Sequence, residues 1–315
     1  MGQHFDSVVI WGHKPKSRDR FGFLAASRHT HSYIHEGFYR AFRNLGYNTF
    51  WFDESTNIDG FDFSNTLFLT EDQVQVSIPL ISTATYVLHH TPNEKYLDAG
   101  AKVLNLCNYV NFLESGKSFN YPSYTVSKLS ELRFFDAHNK ALYQPWATNL
   151  LPGEISADFV WKFSPTSRNV NYIGTTGHED LPQRFKNFCK PIRRDGFDFK
   201  LYSSLDEITA QNYVENSRVS VDIRARWHIE CGYIPCRIWK SLSYGKYIGS
   251  NSEGLREVFG DFVHFDSSES TLFHTTQEKY AGLNPKLSID AMRWVQSHHT
   301  FINRAQSILE VLDLY

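Results

Sequence analysis

Residues 221–251 read VDIRARWHIECGYIPCRIWKSLSYGKYIGSN. The first three of these residues end a predicted strand, and Pro235 suits the first turn of a helix that Gly245 would end. A short apolar strand follows that helix. A strand, a helix and a second strand in this order are typical of an α/β fold. Four cations lie near the predicted helix start: Arg224, Arg226, Arg237 and Lys240.

The predicted helix has two different faces. Ile238 and Leu242 share an apolar face, with Trp239 beside them. The opposite face is expected to be cationic and solvated, and it carries Arg237, Lys240, Ser241 and Tyr244. Unpaired N–H groups at a helix start attract anions, and guanidinium groups strengthen that preference, so the pattern predicts a diphosphate site. A surface helix with solvated charges is the alternative.

The segment from Gly232 to Gly245, GYIPCRIWKSLSYG, resembles the nucleotide-sugar segment of GT-B glycosyltransferases. It is similar in particular to the spore-maturation CgeB-like, glycosyltransferase family 1-type proteins. Those proteins usually carry a glutamate that grips the donor ribose at the position of Lys240, and the departure suggests a further phosphate contact there. The resemblance implies an enzyme that transfers a sugar from a UDP- or GDP-linked donor to an acceptor hydroxyl, without a further cofactor.

The composition is that of a folded globular protein. The chain has 315 residues, enough for two domains, and 41% of them are hydrophobic. Its net charge of −2 argues against a nucleic-acid partner. The four cysteines lack CxxC spacing, which favours a reducing compartment. No apolar run approaches roughly 20 residues and the N-terminus lacks a signal-peptide layout, so we expect a cytoplasmic protein without a transmembrane segment. Peripheral membrane association is compatible with this sequence.

Strands and helices alternate in both halves of the chain. The first half has predicted strands at 7–11, 47–52, 66–69, 85–89 and 102–106, and a helix at 33–45. The second half has predicted strands at 169–173, 197–202, 218–223, 247–250 and 262–265, and helices at 181–194 and 206–216. The fold class that we predict is α/β, with two Rossmann-like domains facing a cleft as in GT-B proteins.

Residues 143–152 contain two prolines that bracket an apolar stretch, and this segment also resembles the interdomain strand of the CgeB-like proteins. We therefore place an N-terminal Rossmann-like acceptor domain at 1–150 and a C-terminal Rossmann-like nucleotide-sugar domain at 151–287. Residues 288–314 show the apolar spacing of one long amphipathic helix. The resemblance implies that this C-terminal helix, at 288–315, packs back on the N-terminal domain.

Further donor-binding candidates follow strands of the second half, at the edge where open α/β sheets bind ligands. The loop Gly174-Thr-Thr-Gly-His178 offers a tight turn with hydroxyls, Tyr202 could stack on a nucleobase, and Asn251 could recognise hydroxyls. An ordinary turn and a core tyrosine are the alternatives. The chain contains no G-x-G and no P-loop, which disfavours nicotinamide enzymes and P-loop NTPases. The predicted donor set is Gly174, Thr175, Thr176, His178, Tyr202, Arg224, Arg226, Tyr233, Arg237, Lys240 and Asn251.

The loop Arg28-His-Thr-His-Ser32 precedes the first predicted helix in the acceptor domain. Because the chain has no HExxH, no Cys/His pairing and no D-x-D motif, we expect a metal-independent enzyme. An inverting transfer needs a base for the acceptor hydroxyl, and a retaining transfer does not. We predict His31 as that base, with Glu36 or Asp53 as substitutes. A helix-capping or sugar-binding role for His31 is the alternative.

Lys240 in place of a ribose-binding glutamate also fits a second hypothesis. The chain could be a noncatalytic nucleotide- or carbohydrate-binding protein of the same fold. A phosphorylase or an epimerase of this architecture is a third hypothesis. Under the first hypothesis the partners are a nucleotide-sugar donor and a saccharide, glycan or protein acceptor.

Overall fold

The computed structural model describes residues 5–14, 30–109, 132–156, 166–174, 176–177, 180–203, 205–281 and 285–314. These residues form an α/β fold with predominantly parallel sheets in both halves of the chain. The predicted fold class is therefore confirmed.

The first half contains one seven-stranded sheet. Its strands are β1 (Ser7–Trp11), β2 (Thr49–Phe52), β3 (Thr66–Glu71), β4 (Thr85–His89), β5 (Lys102–Cys107), β6 (Phe134–Asp136) and β7 (Ala141–Tyr143). Their order in the sheet is β2-β1-β3-β4-β5-β7-β6, and every pair is parallel except β6 with β7. From β1 the chain adds β2 on one side of the sheet, and it then adds β3 on the opposite side of β1. The crevice between β1 and β3 is therefore a topological switch point.

Burial explains why the central strands read as continuous apolar runs. All five residues of β1 are buried, as expected for a strand covered on both faces of a parallel sheet. Helix α1 (Thr30–Asn44) covers one face with Ile34, Phe38 and Phe42, which follow helical spacing and are buried in the core. Helix α2 (Glu94–Asp98) follows β4. The start of α1 is thereby fixed at the carboxyl edge of the sheet.

The second half contains a parallel pair, β8 (Asn169–Ile173) with β9 (Asp198–Tyr202), and a parallel three-stranded sheet. That sheet has the order β10 (Ser220–Asp222), β11 (Ile248–Ser250) and β12 (Val263–Phe265). The helices of this half are α3 (Leu181–Arg194), α4 (Glu207–Glu215), α5 (Arg226–Glu230), α6 (Cys236–Ser243), α7 (Arg256–Phe259) and α8 (Glu269–Tyr280).

The helix predicted after Pro235 is α6, and its apolar face is buried as predicted. The opposite face is different from the prediction. Ser241 and Tyr244 are buried, and Arg237 and Lys240 are half-buried against other charged and aromatic groups. This face of α6 is therefore packed inside the protein and is not the exposed surface that was predicted.

The C-terminal segment forms two helices, α9 (Lys286–His298) and α10 (Phe301–Leu312), where one long helix was predicted. The break occurs because Thr300 is extended and begins α10, with its own N–H donating to Asn303 Oδ1 at 3.0 Å. Helix α9 packs on α6, while α10 packs on α1. The predicted return of the C-terminal helix to the first half is confirmed, and α10 is the helix that makes it.

The hairpin of β6 and β7 was not predicted. β1, β4 and β8 have the predicted bounds, and the ends of the other predicted strands differ from the observed ones by no more than two residues. The segment 144–156 lies between the two halves, and most of it is buried. The domain boundary after residue 150 stays a prediction. Among the described helices, none has the length and apolar character needed to cross a membrane.

Candidate functional site

A cavity of about 650 Å³ opens between the two halves. His31, Tyr33, Gln73 and Tyr109 line it from the first half. The second half contributes Gly174 after β8, Arg224 after β10, and the start of α6 from Pro235 to Arg237. Both linings come from the carboxyl ends of parallel strands, which is where α/β folds bind ligands.

Arg224 is a buried cation in the lining of this cavity. Its side chain is only 5% exposed, and its Nε and Nη2 have no hydrogen-bond partner among the described residues. Asn251 holds its backbone, accepting from Arg224 N–H at 2.8 Å and donating to Arg224 C=O at 3.2 Å. The Tyr233 ring lies 4.6 Å from the guanidinium carbon. A buried charge without hydrogen bonds is costly, so this group is suited to an anionic ligand.

Arg237 is held in place by the protein itself. Its Nη1 donates to Asp222 Oδ1 at 2.5 Å, and its Nε donates to Ile173 C=O at 2.8 Å. The guanidinium also lies 4.0 Å from the centroid of the Tyr172 ring. A Cβ added to Gly174 would come within 2.1 Å of Arg237 Nη2, so only glycine leaves room for the arginine. Arg237 still lines the cavity, but its charge is paired with Asp222.

Lys240 is paired with a carboxylate that the sequence did not point to. Its Nζ donates to Glu207 Oε2 at 2.7 Å and lies 4.7 Å from the Tyr33 ring centroid. Tyr244 and Asn149 also donate to Glu207. Burial alone would raise the pKa of Glu207, but the Lys240 charge and these hydrogen bonds outweigh burial and lower it. Glu207 is therefore an ionised carboxylate at neutral pH, and it is the ion-pair partner of Lys240.

Four other predicted donor residues lie away from the cavity lining. Arg226 is exposed, and its Nε donates to Glu230 at 2.6 Å. Tyr202 stacks on Tyr213 with ring centroids 4.1 Å apart, and Asn251 is buried behind Arg224. Gly174 and Tyr233 do line the cavity, and Thr176 does not. Thr175 and His178 lie outside the described residues.

The aromatic wall of the cavity joins both halves. Tyr109 follows β5, and its ring lies 5.1 Å from Trp227 and 5.3 Å from Tyr233. Trp227 is 44% exposed, which is high for a tryptophan beside a cavity. Aromatic rings of this kind offer flat apolar faces to sugars and bases. Tyr109 and Trp227 were not predicted as site residues, because an aromatic residue after a strand usually belongs to the core.

Of the three predicted catalytic residues, His31 lines the cavity. Its Nδ1 lies 2.7 Å from Glu71 Oε2, and His13 contacts the other oxygen of the same carboxylate. Glu36 lies on α1 outside the lining, and Asp53 accepts hydrogen bonds from Ser55 and Thr56 in its own turn. His13 and Glu71 were not predicted. They are distant from His31 in the chain, so no local spacing connects the three residues.

Further imidazoles surround this carboxylate. Burial lowers the pKa of His35 to about 3, and burial together with the neighbouring His90 holds the pKa of His89 well below its usual value. Burial alone would raise the pKa of Glu71, but hydrogen bonds from His13 and His31 hold it well below its usual range. Glu71 is therefore a buried carboxylate ion at neutral pH, and the imidazoles of His35 and His89 are neutral.

No protein-family model and no curated protein matches the chain. Among solved structures, an alpha-glucosyltransferase in complex with UDP and a 13-mer DNA containing a HMU base superposes with a TM-score of 0.59. The two sequences are 9% identical, and the match covers 98% of this chain and 100% of that one. A second alpha-glucosyltransferase complex, with UDP and a 13-mer DNA that contains a central A:G mismatch, has a TM-score of 0.53 at 8% identity, with 97% and 99% covered. At this identity the likeness shows the fold, which is the GT-B arrangement of two Rossmann-like domains.

Proposed function

We propose that the chain is a glycosyltransferase that uses a nucleoside-diphosphate sugar as its donor. The observation that carries the proposal is Arg224, a buried guanidinium with unsatisfied N–H groups at the edge of the cavity. The GT-B fold and the presence of UDP in the similar solved structures support it. Membership of the CgeB-like group stays a prediction.

In the proposed reaction the bond between the anomeric carbon and the diphosphate oxygen breaks, and a bond to the acceptor oxygen forms. The nucleoside diphosphate leaves with the bonding electrons, and the proton of the acceptor hydroxyl passes to a base on the acceptor side of the cavity or to the leaving diphosphate. Arg224 would stabilise the charge that develops on the leaving diphosphate, because it lines the cavity and its Nε and Nη2 have no hydrogen-bond partner among the described residues. Arg237, Gly174 and the start of α6 complete the donor side of the cavity.

The acceptor belongs to the opposite side of the cavity, near His31 and Tyr109. Its chemical class is a hydroxyl compound, and a saccharide, glycan or protein remains our expectation. Net charge alone does not exclude a nucleic acid, since the similar solved structures contain DNA. We therefore do not retain the predicted absence of a nucleic-acid partner.

Substitution of Arg224 tests the donor site. We expect Arg224→Ala to weaken nucleoside-diphosphate binding by about 1.5 to 3 kcal/mol, because a charge-assisted hydrogen bond is lost. Calorimetry with UDP, GDP, CDP and dTDP measures the effect. Arg226→Ala is the matched control, since Arg226 is exposed and lies outside the cavity lining, and it should bind like the unmodified protein.

Equal affinities for the unmodified protein and Arg224→Ala would contradict the proposal. If a nucleotide binds, incubation with the corresponding nucleotide sugars separates an enzyme from a binding protein. An enzyme releases nucleoside diphosphate, at least by slow transfer to water, and a noncatalytic binding protein releases none.

A further inference from the structure

Three metal-binding side chains converge at the acceptor end of the cavity. His13 follows β1, His31 lies in the first turn of α1, and Glu71 ends β3. One ligand atom from each of them lies within 4.8 Å of the other two. In the part of the chain that the structure describes, these three side chains are the histidine, cysteine or carboxylate groups close enough together to hold a metal ion.

The position of this cluster in the sheet is informative. β1 and β3 are neighbours with the switch point between them, so His13 and Glu71 leave the sheet on either side of the crevice. Open α/β sheets bind ligands at such a crevice because no crossover covers it there. The cluster therefore occupies a place in the fold where a ligand is expected, independently of its side-chain chemistry.

The backbone that presents His13 is held in an uncommon conformation. Gly12 has φ +98° and His13 has φ +50°, which lies in the left-handed region. A Cβ on Gly12 would come within 2.1 Å of Val74 Cγ2, so glycine is required at that turn. A left-handed non-glycine residue costs of order 1 kcal/mol or more, and such residues concentrate at functional sites. The turn places the imidazole of His13 against Glu71.

Neighbouring side chains fix this turn and the first turn of α1. The carbonyl of Gly12 is within hydrogen-bond distance of His35 Nδ1 and accepts from Trp51 Nε1, both at 2.8 Å. His35 lies one helical turn after His31 on the same face of α1. The hydrogen bond between His35 Nδ1 and the Gly12 carbonyl thus connects the turn that carries His13 to the helix that carries His31.

We propose that His13 Nε2, His31 Nδ1 and the Glu71 carboxylate bind one divalent transition-metal ion of the zinc type. Two imidazoles and one carboxylate are a ligand set that zinc, cobalt and iron prefer over magnesium or calcium. Catalytic zinc sites have three protein ligands and an open position, and His31 lines the cavity from which a fourth ligand would enter. The inference goes beyond donor binding and opposes the expectation of a metal-independent enzyme.

Such a site would change the role of His31. A histidine nitrogen that binds a metal ion has no free electron pair for a proton, whereas a water molecule on the ion is much more acidic than bulk water. A hydroxide formed from that water would then take the place predicted for His31 as the base near the acceptor hydroxyl, and it would become water again on accepting the acceptor's proton. The metal ion and the proposed donor site lie on opposite sides of the cavity, so each can be tested without the other.

Metal binding by the full chain tests the proposal directly. We expect purified protein, freed of metal with a chelator, to take up about one equivalent of Zn²⁺ per chain in calorimetry, and to take up Co²⁺ with a visible absorption of low-coordinate cobalt. His13→Ala, His31→Ala and Glu71→Gln should each weaken Zn²⁺ binding by about tenfold or more. His298→Ala, which removes an exposed histidine, should bind like the unmodified protein.

Circular dichroism and thermal unfolding in chelator show whether each variant is folded, and only folded variants are compared. Zn²⁺ should raise the unfolding temperature of the unmodified protein and of His298→Ala, and it should leave that of folded Glu71→Gln unchanged. Binding of far less than one equivalent by the unmodified protein would overturn the proposal. Equal binding by the unmodified protein and all folded ligand variants would overturn it as well. Neither result bears on nucleotide binding at Arg224.

Discussion

Asp222 lies between two guanidinium groups and hydrogen-bonds to one of them. Its Oδ1 accepts from Arg237 at 2.5 Å and is 3.6 Å from Arg224, while Ser250 donates to its Oδ2 at 3.0 Å. With both carboxylate oxygens engaged, the guanidinium of Arg224 keeps its N–H groups for a ligand. Asp222 thus fixes Arg237 as part of the structure, and it leaves Arg224 available to bind a ligand.

This distribution could not be read from the sequence. The motif correctly indicated cations near the start of α6, and Arg224, Arg237 and Lys240 do line one cavity. Their partners come from distant segments, since Glu207 belongs to α4 and Asp222 to β10. These tertiary contacts decide which of the three cations is paired with a carboxylate, and residue spacing along the chain does not predict them.

Lys246 offers a test of pH-dependent stability at one residue. It is 3% exposed, its Nζ donates to Glu215 C=O at 3.1 Å, and burial lowers its pKa to about 7. The unfolded chain, with a lysine pKa near 10.4, therefore holds one more proton than the folded chain between these values, so Lys246 opposes folding less as the pH rises through that range.

We expect Lys246→Met to stabilise the protein more at low pH, where the buried charge opposes folding. The gain in unfolding free energy should be about 2 kcal/mol larger at pH 6.5 than at pH 9, given about 1.4 kcal/mol per pH unit. Urea unfolding of both proteins at the two pH values measures it. A gain of the same size at both values would show that the pKa of Lys246 is not lowered in the folded protein.

Helices α1 and α10 approach each other closely because one contact position is a glycine. A Cβ on Gly37 would come within 2.2 Å of Phe301 Cδ2, and the rings of Phe38 and Phe301 meet edge to face at 4.9 Å. Glycine lowers helix stability by about 1 kcal/mol relative to alanine. At this position the close packing outweighs that loss.

We therefore expect Gly37→Ala to destabilise the protein by about 1 to 3 kcal/mol in chemical unfolding, although alanine favours a helix. Gly153→Ala is the matched control, since an added Cβ there meets nothing within 4 Å, and its stability should stay within about 0.5 kcal/mol. An increase in stability for Gly37→Ala would mean that Phe301 moves aside freely and that the two helices are not closely packed.

Elements with a clear apolar pattern were predictable, including the short strands β10, β11 and β12, and elements without one were not. β1, β4 and α3 have the bounds that the sequence pattern indicated. The strands β6 and β7 have three residues each and show no such pattern; β7 pairs with β5, and β6 pairs with β7. The break between α9 and α10 was missed because the apolar spacing continues across Thr300, while the end of the helix is decided by local capping.

At the scale of the whole molecule, Arg304 connects the last helix to the segment between the halves. Its buried guanidinium donates to the backbone carbonyls of Pro145, Trp146 and His298, at 2.7, 3.3 and 3.2 Å. Gln144 Nε2 in turn donates to Arg304 C=O at 3.2 Å. One side chain thereby holds together parts of the chain that are about 160 residues apart.

Loss of this contact should affect the entire protein. We expect Arg304→Met to lower the unfolding free energy by roughly 2 to 4 kcal/mol, because buried carbonyls lose their donors. Arg293→Met removes an exposed arginine from α9 and should change stability by less than about 0.5 kcal/mol. Thermal unfolding followed by circular dichroism compares the two, and similar unfolding temperatures would show that water replaces the Arg304 hydrogen bonds without loss.

The packing of α10 on α1 also constrains the order in which the chain can fold. The apolar core of the first sheet includes Phe301, Ile302, Ala305 and Ile308, so it is incomplete until these residues are available. During synthesis, the first half leaves the ribosome with that face of α1 uncovered while the second half is still being made. A nascent chain would therefore expose an apolar surface on α1 until α10 has been made. We expect its folding in the cell to depend on chaperones that bind exposed apolar surfaces.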